Sequence, residues 1–155
     1  MDVLSHRRLA MPVVKRPPSL TVLLTAAERA LEAAIDDGLR LAGYRDLRSA
    51  HAQVFIAVSP EGSHLTMLAA HAGMTKQAMG ELVRYLEQHG YLEIEPDLRD
   101  RRAKIIRLTP VGRRAQELCL GLVEEGEQRL IERFGDDGVQ ELRAQLRRIA
   151  EGQRP

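Results

Sequence analysis

The sequence predicts a mainly α-helical fold carrying one small β-hairpin. Apolar residues recur at helical spacing along most of the 155-residue chain. Near the middle, two such helical stripes are separated by little more than Gly73-Met74-Thr75. Directly after the second, two short runs with strand character, Tyr91-Leu92-Glu93-Ile94-Glu95 and Ala103-Lys104-Ile105-Ile106-Arg107-Leu108, bracket an arginine-rich turn. The length fits one domain. With two Phe, three Tyr and no Trp, the core must be built from aliphatic side chains.

Residues 1–18 are expected to form a flexible N-terminal arm, because Arg16-Pro17-Pro18 disfavours helix. No apolar run approaches the ~20 residues of a membrane span, and the N-terminus has no signal-peptide core. No membrane is therefore expected as a partner. Cys119 is the single cysteine and cannot form an internal disulfide, which points to a reducing, cytoplasmic setting.

From Leu20 an apolar stripe at 20, 23, 24, 27, 31, 34 and 35 predicts a helix running to about Gly43, with Ser19 as its cap. A shorter helix is expected over 49–59, where Ala50, Val54 and Val58 share a face, before Pro60-Glu61-Gly62 breaks the chain. Thr66 is read as the N-cap of the next short helix and Gly73 as the positive-φ residue that ends it. Thr75 caps the following helix, which runs to about His89, with Met74 and Met79 at the positions of a hydrophobic staple. Its apolar face is Met79, Leu82, Val83 and Leu86; the opposite face shows Lys76, Gln77, Gly80, Glu81, Arg84 and Gln88. Two helices joined by a tight glycine turn make a helix-turn-helix, and a hairpin immediately after them is a wing. Thr109-Pro110 then opens a long helix, with Thr at the cap and Pro at the first turn. A last helix is expected from about Asp136 to Ala150, with Val139, Leu142, Leu146 and Ile149 along one side.

Charge sharpens this reading. The net charge of +1 is uninformative, but residues 99–107 hold Arg99, Arg101, Arg102, Lys104 and Arg107 against Asp100 alone. Alone, such a cluster is equally a solvated turn or a phosphate contact; at the tip of a wing it is placed to meet nucleic acid. Gly80, inside a helix at a cost of ~1 kcal/mol relative to alanine, signals either close approach to DNA or tight packing within the helix pair. Glu81 either accepts from cytosine N4 or, more in keeping with a surface acid, pairs with Arg84.

Leu65-Thr66, Leu68-Ala69, Met74-Thr75-Lys76, Leu82-Val83, Leu86-Glu87 and Gly90-Tyr91-Leu92 together resemble the helix-turn-helix of the MarR family of bacterial transcription regulators. Asp97-Leu98-Arg99-Asp100-Arg101-Arg102-Ala103-Lys104, followed by Leu108-Thr109-Pro110-Val111-Gly112, resembles that family's wing and the start of its next helix. Ile94 departs from the pattern, standing where members often carry a basic residue. The resemblance implies a winged helix-turn-helix over 49–108, flanked by a helical dimerisation region at 19–48 and 109–155. It implies a homodimer on double-stranded DNA, acting as a ligand-released repressor at a pseudo-palindromic operator. The expected DNA-binding residues are Thr75, Lys76, Gln77, Gly80, Glu81 and Arg84 on the helix, and Arg99, Arg101, Arg102 and Lys104 on the wing. Arg101 is the expected minor-groove reader, with Asp100 and Arg102 bracing the tip.

The family's responsiveness to small aromatic or phenolic effectors makes Tyr44, His51 and Phe55 candidates for a ligand pocket, although completing a sparse aromatic core is the simpler and favoured explanation. No cofactor and no metal are expected: His64, His71 and His89 lie at no metal-ligand spacing. No nucleophile elbow, phosphate loop or carboxylate pair suggests an enzyme. Two other readings fit the same fold, a non-specific architectural DNA-binding protein and an interaction module that has lost DNA binding.

Overall fold

A computed structural model of the chain describes residues 17–98, 100 and 103–152. Arg99, Arg101 and Arg102, and residues 1–16 of the expected arm, lie outside the described residues.

Six helices and one two-stranded antiparallel sheet make up the described chain. Helix α1 spans Leu20–Leu41, and Ser19 caps it by accepting from the Val22 amide at 3.4 Å. It closes as expected, with Gly43 at φ 91° and the Tyr44 amide returning to Leu39 O at 2.9 Å. Helix α2 (Ser49–Ala57) stops two residues short of the expected Ser59. The reason is local: Ser59 is drawn into a turn in which its hydroxyl donates to Gly62 O at 2.6 Å and its amide donates to Ser63 Oγ.

Helix α3 (Leu65–His71) begins two residues earlier than expected, with His64 rather than Thr66 at the N-cap. His64 is held in extended backbone by contacts to the hairpin, which places Thr66 inside the helix on an exposed face. Gly73, at φ 63°, ends the segment. Helix α4 (Lys76–Gln88) is capped by Thr75, whose Oγ1 accepts from the Ala78 amide at 3.1 Å. Strands β1 (Leu92–Pro96) and β2 (Lys104–Leu108) pair in register from Leu92 opposite Leu108 to Pro96 opposite Lys104. Ser63 adds a one-residue third rung through two 2.9 Å bonds with Ile106. That bridge ties the wing to the loop before α3, and nothing in the sequence near Ser63 has strand character.

Helices α5 (Pro110–Phe134) and α6 (Asp136–Glu151) complete the chain. One core of Leu39, Leu47, Val54, Phe55, Leu68, Met79, Leu86 and Cys119, all at most 1% exposed, joins α1, α2, α3, α4 and α5. Most of the apolar stripe of α1 does not enter it, Ile35 being the exception. Leu20, Leu23, Leu24 and Leu31 are exposed, and so are Leu142, Leu146 and Ile149 of α6. Only the C-terminal part of α1 packs inward, where Gly38 lies so close to Leu122 of α5 that a β-carbon would overlap the leucine methyls.

Candidate nucleic-acid interface

Helix α4 separates its two faces cleanly. Met79, Val83 and Leu86 are buried, while Lys76, Gln77, Glu81, Arg84 and Gln88 are exposed. Each exposed side chain carries donors or acceptors of the kind that read base edges and phosphates. Gly80 sits between the two faces, and a β-carbon there would meet only Leu65 Cδ2 at 3.7 Å, an ordinary contact. Tight packing inside the helix pair therefore does not require the glycine. The expected Glu81–Arg84 ion pair is not formed: Arg84 Nε turns back along the helix to donate to Gly80 O at 3.2 Å. That bond occupies the guanidinium within its own helix, and Glu81 stays exposed to water.

The wing base is fixed by four contacts. Arg107 lies 3.5 Å from Glu95 across the strands and donates to Glu61 O at 2.6 Å. His64 reaches both sides of the hairpin, with Nε2 3.2 Å from Asp97 Oδ2 just past β1 and Nδ1 3.0 Å from Lys104 O at the start of β2. The turn is closed by Asp97 and Asp100: the Asp97 amide donates to Ala103 O, and the Ala103 amide to Asp100 O. The expected minor-groove reader Arg101, with Arg99 and the Arg102 brace, falls outside the described residues. Lys104 is exposed at the start of β2, and Ile94 is half-buried against the core, which accounts for an apolar residue at that position.

Two clefts flank His64. The larger, about 840 Å³, is lined by Glu61, Glu95, Asp97, Leu98 and Arg107 among others, and is mainly acidic. The smaller, about 490 Å³, is lined by His64, Leu65, Thr66, Lys76, Ala103 and Lys104. Neither contains the three aromatic candidates for a ligand pocket. Phe55 is fully buried and meets Tyr91 edge-on at 5.8 Å, while Tyr44 is half-buried at 6.3 Å from the same ring. His51 is buried and stacks on Tyr85 at 4.6 Å; His89 stacks on Tyr85 at 4.0 Å. These rings serve the core.

At the centre of that cluster is Asp46, which the sequence did not single out. Its carboxylate accepts from Tyr91 Oη at 3.0 and 3.1 Å, and its backbone carbonyl accepts from Tyr85 Oη at 2.7 Å. Burial, then this bond, pushes the Tyr91 phenol well above the usual range. Asp36 of α1 caps α2 by accepting from the Ser49 amide at 2.6 Å. Gln116 of α5 closes the other end of α2, donating to Phe55 O at 2.7 Å and Val58 O at 2.9 Å. All three bonds cross more than ten residues, so no local pattern announces them. Cys119 is fully buried, and burial pushes its thiol up to about 12, so it stays a protonated, apolar-like side chain.

A model of the MarR family matches residues 46–103, from the α1–α2 connection to the end of the wing tip. Among solved structures, CouR from Rhodococcus jostii RHA1 bound to p-coumaroyl-CoA is 28% identical. It covers 85% of this chain and 92% of its own, with a TM-score of 0.72. A MarR-family transcriptional regulator from Rhodococcus sp. RHA1 is 26% identical over 86% of this chain and 96% of its own, with a TM-score of 0.68. Residues 46–103 thus match the MarR family, and the whole chain has the fold of these regulators.

The resemblance is to winged-helix transcription regulators. The S. aureus MepR–DNA complex shows the same fold, at 19% identity and a TM-score of 0.76 over 88% of this chain and 99% of its own. No curated protein sequence matches the chain significantly. Among the described residues, no group of three or more His, Cys, Asp or Glu side chains is placed to hold a metal ion. No described helix is long and apolar enough to cross a membrane.

Proposed function

We propose that this chain is a MarR-family transcription regulator, a homodimeric, ligand-released repressor of a pseudo-palindromic double-stranded DNA site. The observation that carries the reading is the division of α4, with Met79, Val83 and Leu86 buried and Lys76, Gln77, Glu81 and Arg84 presented to solvent beside a braced hairpin. In this reading, α4 enters a major groove about 12 Å wide and the wing follows into the flanking minor groove. Thr75 and the first amides of α4 meet a phosphate, and Gly80 lets the helix backbone approach the groove. Lys104 and the wing arginines Arg99, Arg101 and Arg102 add backbone and minor-groove contacts, with Arg101 the inserted side chain. The fold seen on DNA in S. aureus MepR supports this docking.

Dimerisation is assigned to 19–48 and 109–155, and DNA binding to 49–108. The support is the apolar surface left open on α1 and α6, which a lone chain exposes to water at a free-energy cost. A homodimer of twofold symmetry places its half-sites about one helical turn apart. The p-coumaroyl-CoA bound to CouR supports an aromatic or phenolic effector here. Of the three candidate pocket residues, Tyr44 is the one through which such a ligand would reach the aromatic cluster, since Phe55 and His51 are buried.

Selection of bound sequences from random DNA tests the proposal. A pseudo-palindrome whose occupancy falls when a phenolic ligand is added is the expected result. Binding without a motif would identify an architectural protein, and no binding at all an interaction module.

A further inference from the structure

We propose that the cleft between α3, α4 and β2 seats one backbone phosphate of the DNA strand that passes from the major groove to the minor groove. Thr66 is then a DNA contact in addition to those inferred above. The inference rests on the proposed DNA binding and specifies which side chains share a single phosphate.

Lys76, at the first position of α4, and Lys104, at the first position of β2, line the same cleft of about 490 Å³. Thr66 and Leu65 of α3 form its floor with the His64 and Ala103 positions. Among the described residues, neither lysine is paired with a carboxylate, although Arg107, Arg129 and Arg143 are. Thr75 and Thr109 spend their hydroxyls on helix caps, whereas Thr66 Oγ1 bonds no other described residue. Two ammonium groups, which only donate, and a hydroxyl, which can donate, stand around one opening and suit a tetrahedral oxyanion.

The walls are held in place from below. His64 Nδ1 faces Lys104 O, the Ser63–Ile106 bridge fixes the strand behind it, and the Thr75 cap fixes the start of α4. Electrostatics distinguishes this cleft from the larger one across His64, where Glu61, Glu95 and Asp97 outnumber Arg107 and would repel a phosphate. The small cleft also lies between the two DNA-reading parts, α4 and the wing, so a strand that contacts both must cross it.

Replacing each phosphate of the selected DNA site in turn by a neutral methylphosphonate tests the assignment. One position per half-site should weaken wild-type binding about tenfold, as expected for charge-assisted hydrogen bonds to one phosphate. At that position the replacement should cost Lys104→Gln and Thr66→Val markedly less than wild type. Each lysine-to-glutamine change should also lower the salt slope by about one, while Thr66→Val leaves the slope unchanged. The three side chains are exposed, so unchanged thermal melting should accompany these losses. DNA binding in which methylphosphonate and mutant losses simply add at every position overturns the shared cleft alone. Saturable binding of inorganic phosphate at these residues, without any methylphosphonate coupling, overturns it in favour of a free anion. Failure to bind DNA overturns both this inference and the reading beneath it.

Discussion

A methyl group added at Gly112 would overlap the carbonyl oxygen of Tyr91, a backbone atom with no rotamer to escape into. Gly112→Ala is therefore expected to lower stability by about 3 kcal/mol, the upper part of the overpacking range, measured by urea denaturation. Gly80 is the opposite case. Its missing β-carbon has ordinary space beside Leu65, so Gly80→Ala should raise stability by up to ~1 kcal/mol through helix propensity. The same variant should weaken DNA binding; retained affinity would remove Gly80 from the interface.

His51 supplies the pH dependence at this scale. Its Nδ1 accepts from the Arg48 amide at 2.9 Å, a bond only the unprotonated nitrogen can make. Desolvation above all, then Arg48, with a smaller push from His89, lowers its pKa, against opposing pulls from Asp46 and Asp36. A lowered folded-state value means the stabilisation is fully present above the unfolded pKa of about 6.5 and is lost as pH falls through the folded value. Between pH 7 and pH 5 the melting temperature should fall more steeply for wild type than for His51→Asn, which keeps an acceptor without the titration. Parallel curves would exclude His51 as the cause.

At the scale of elements, the Leu108-Thr109-Pro110-Val111-Gly112 run is a joint between the wing and α5. Thr109 Oγ1 accepts from the Gly112 amide at 3.0 Å and donates toward Gly90 O at 2.7 Å, and the Thr109 amide bonds Tyr91 O at 3.1 Å. One residue thus caps α5 and clamps it to the end of α4. Thr109→Ala should cost about 1–2 kcal/mol, seen by chemical denaturation, while Thr109→Ser should recover most of it. The motif was legible because capping chemistry is local. The N-cap of α3 was not: Thr66 has the right chemistry for a cap, but the hairpin claims His64 and starts the helix earlier. The third rung at Ser63 was hidden for the same reason, since its partner Ile106 is distant in sequence.

For the whole molecule, the exposed leucines decide the expectation. Leu20, Leu23, Leu24 and Leu31 on α1, Phe134 at the end of α5, and Leu142, Leu146 and Ile149 on α6 leave many large apolar side chains open to water, the kind of surface that a partner covers. Sedimentation should show a dimer. Leu142→Glu with Leu146→Glu should shift it toward monomer and abolish high-affinity DNA binding together, because two linked half-site contacts become one. A wild-type monomer at micromolar concentration would contradict the dimeric reading.

By itself the sequence determined the order of helices, the two threonine caps that open α4 and α5, the apolar face of α4 and the position of the wing. Each of these follows from spacing or capping within a few residues. It also placed an apolar stripe along α1, but could not say whether that stripe faces this chain's core or something else; the tertiary structure leaves most of it exposed. Only the folded chain brings Asp46 to Tyr85 and Tyr91, Gln116 to the end of α2, and Lys76 to Lys104 across one cleft. Those contacts join residues from separate helices and strands, and periodicity carries no record of which element will lie beside which.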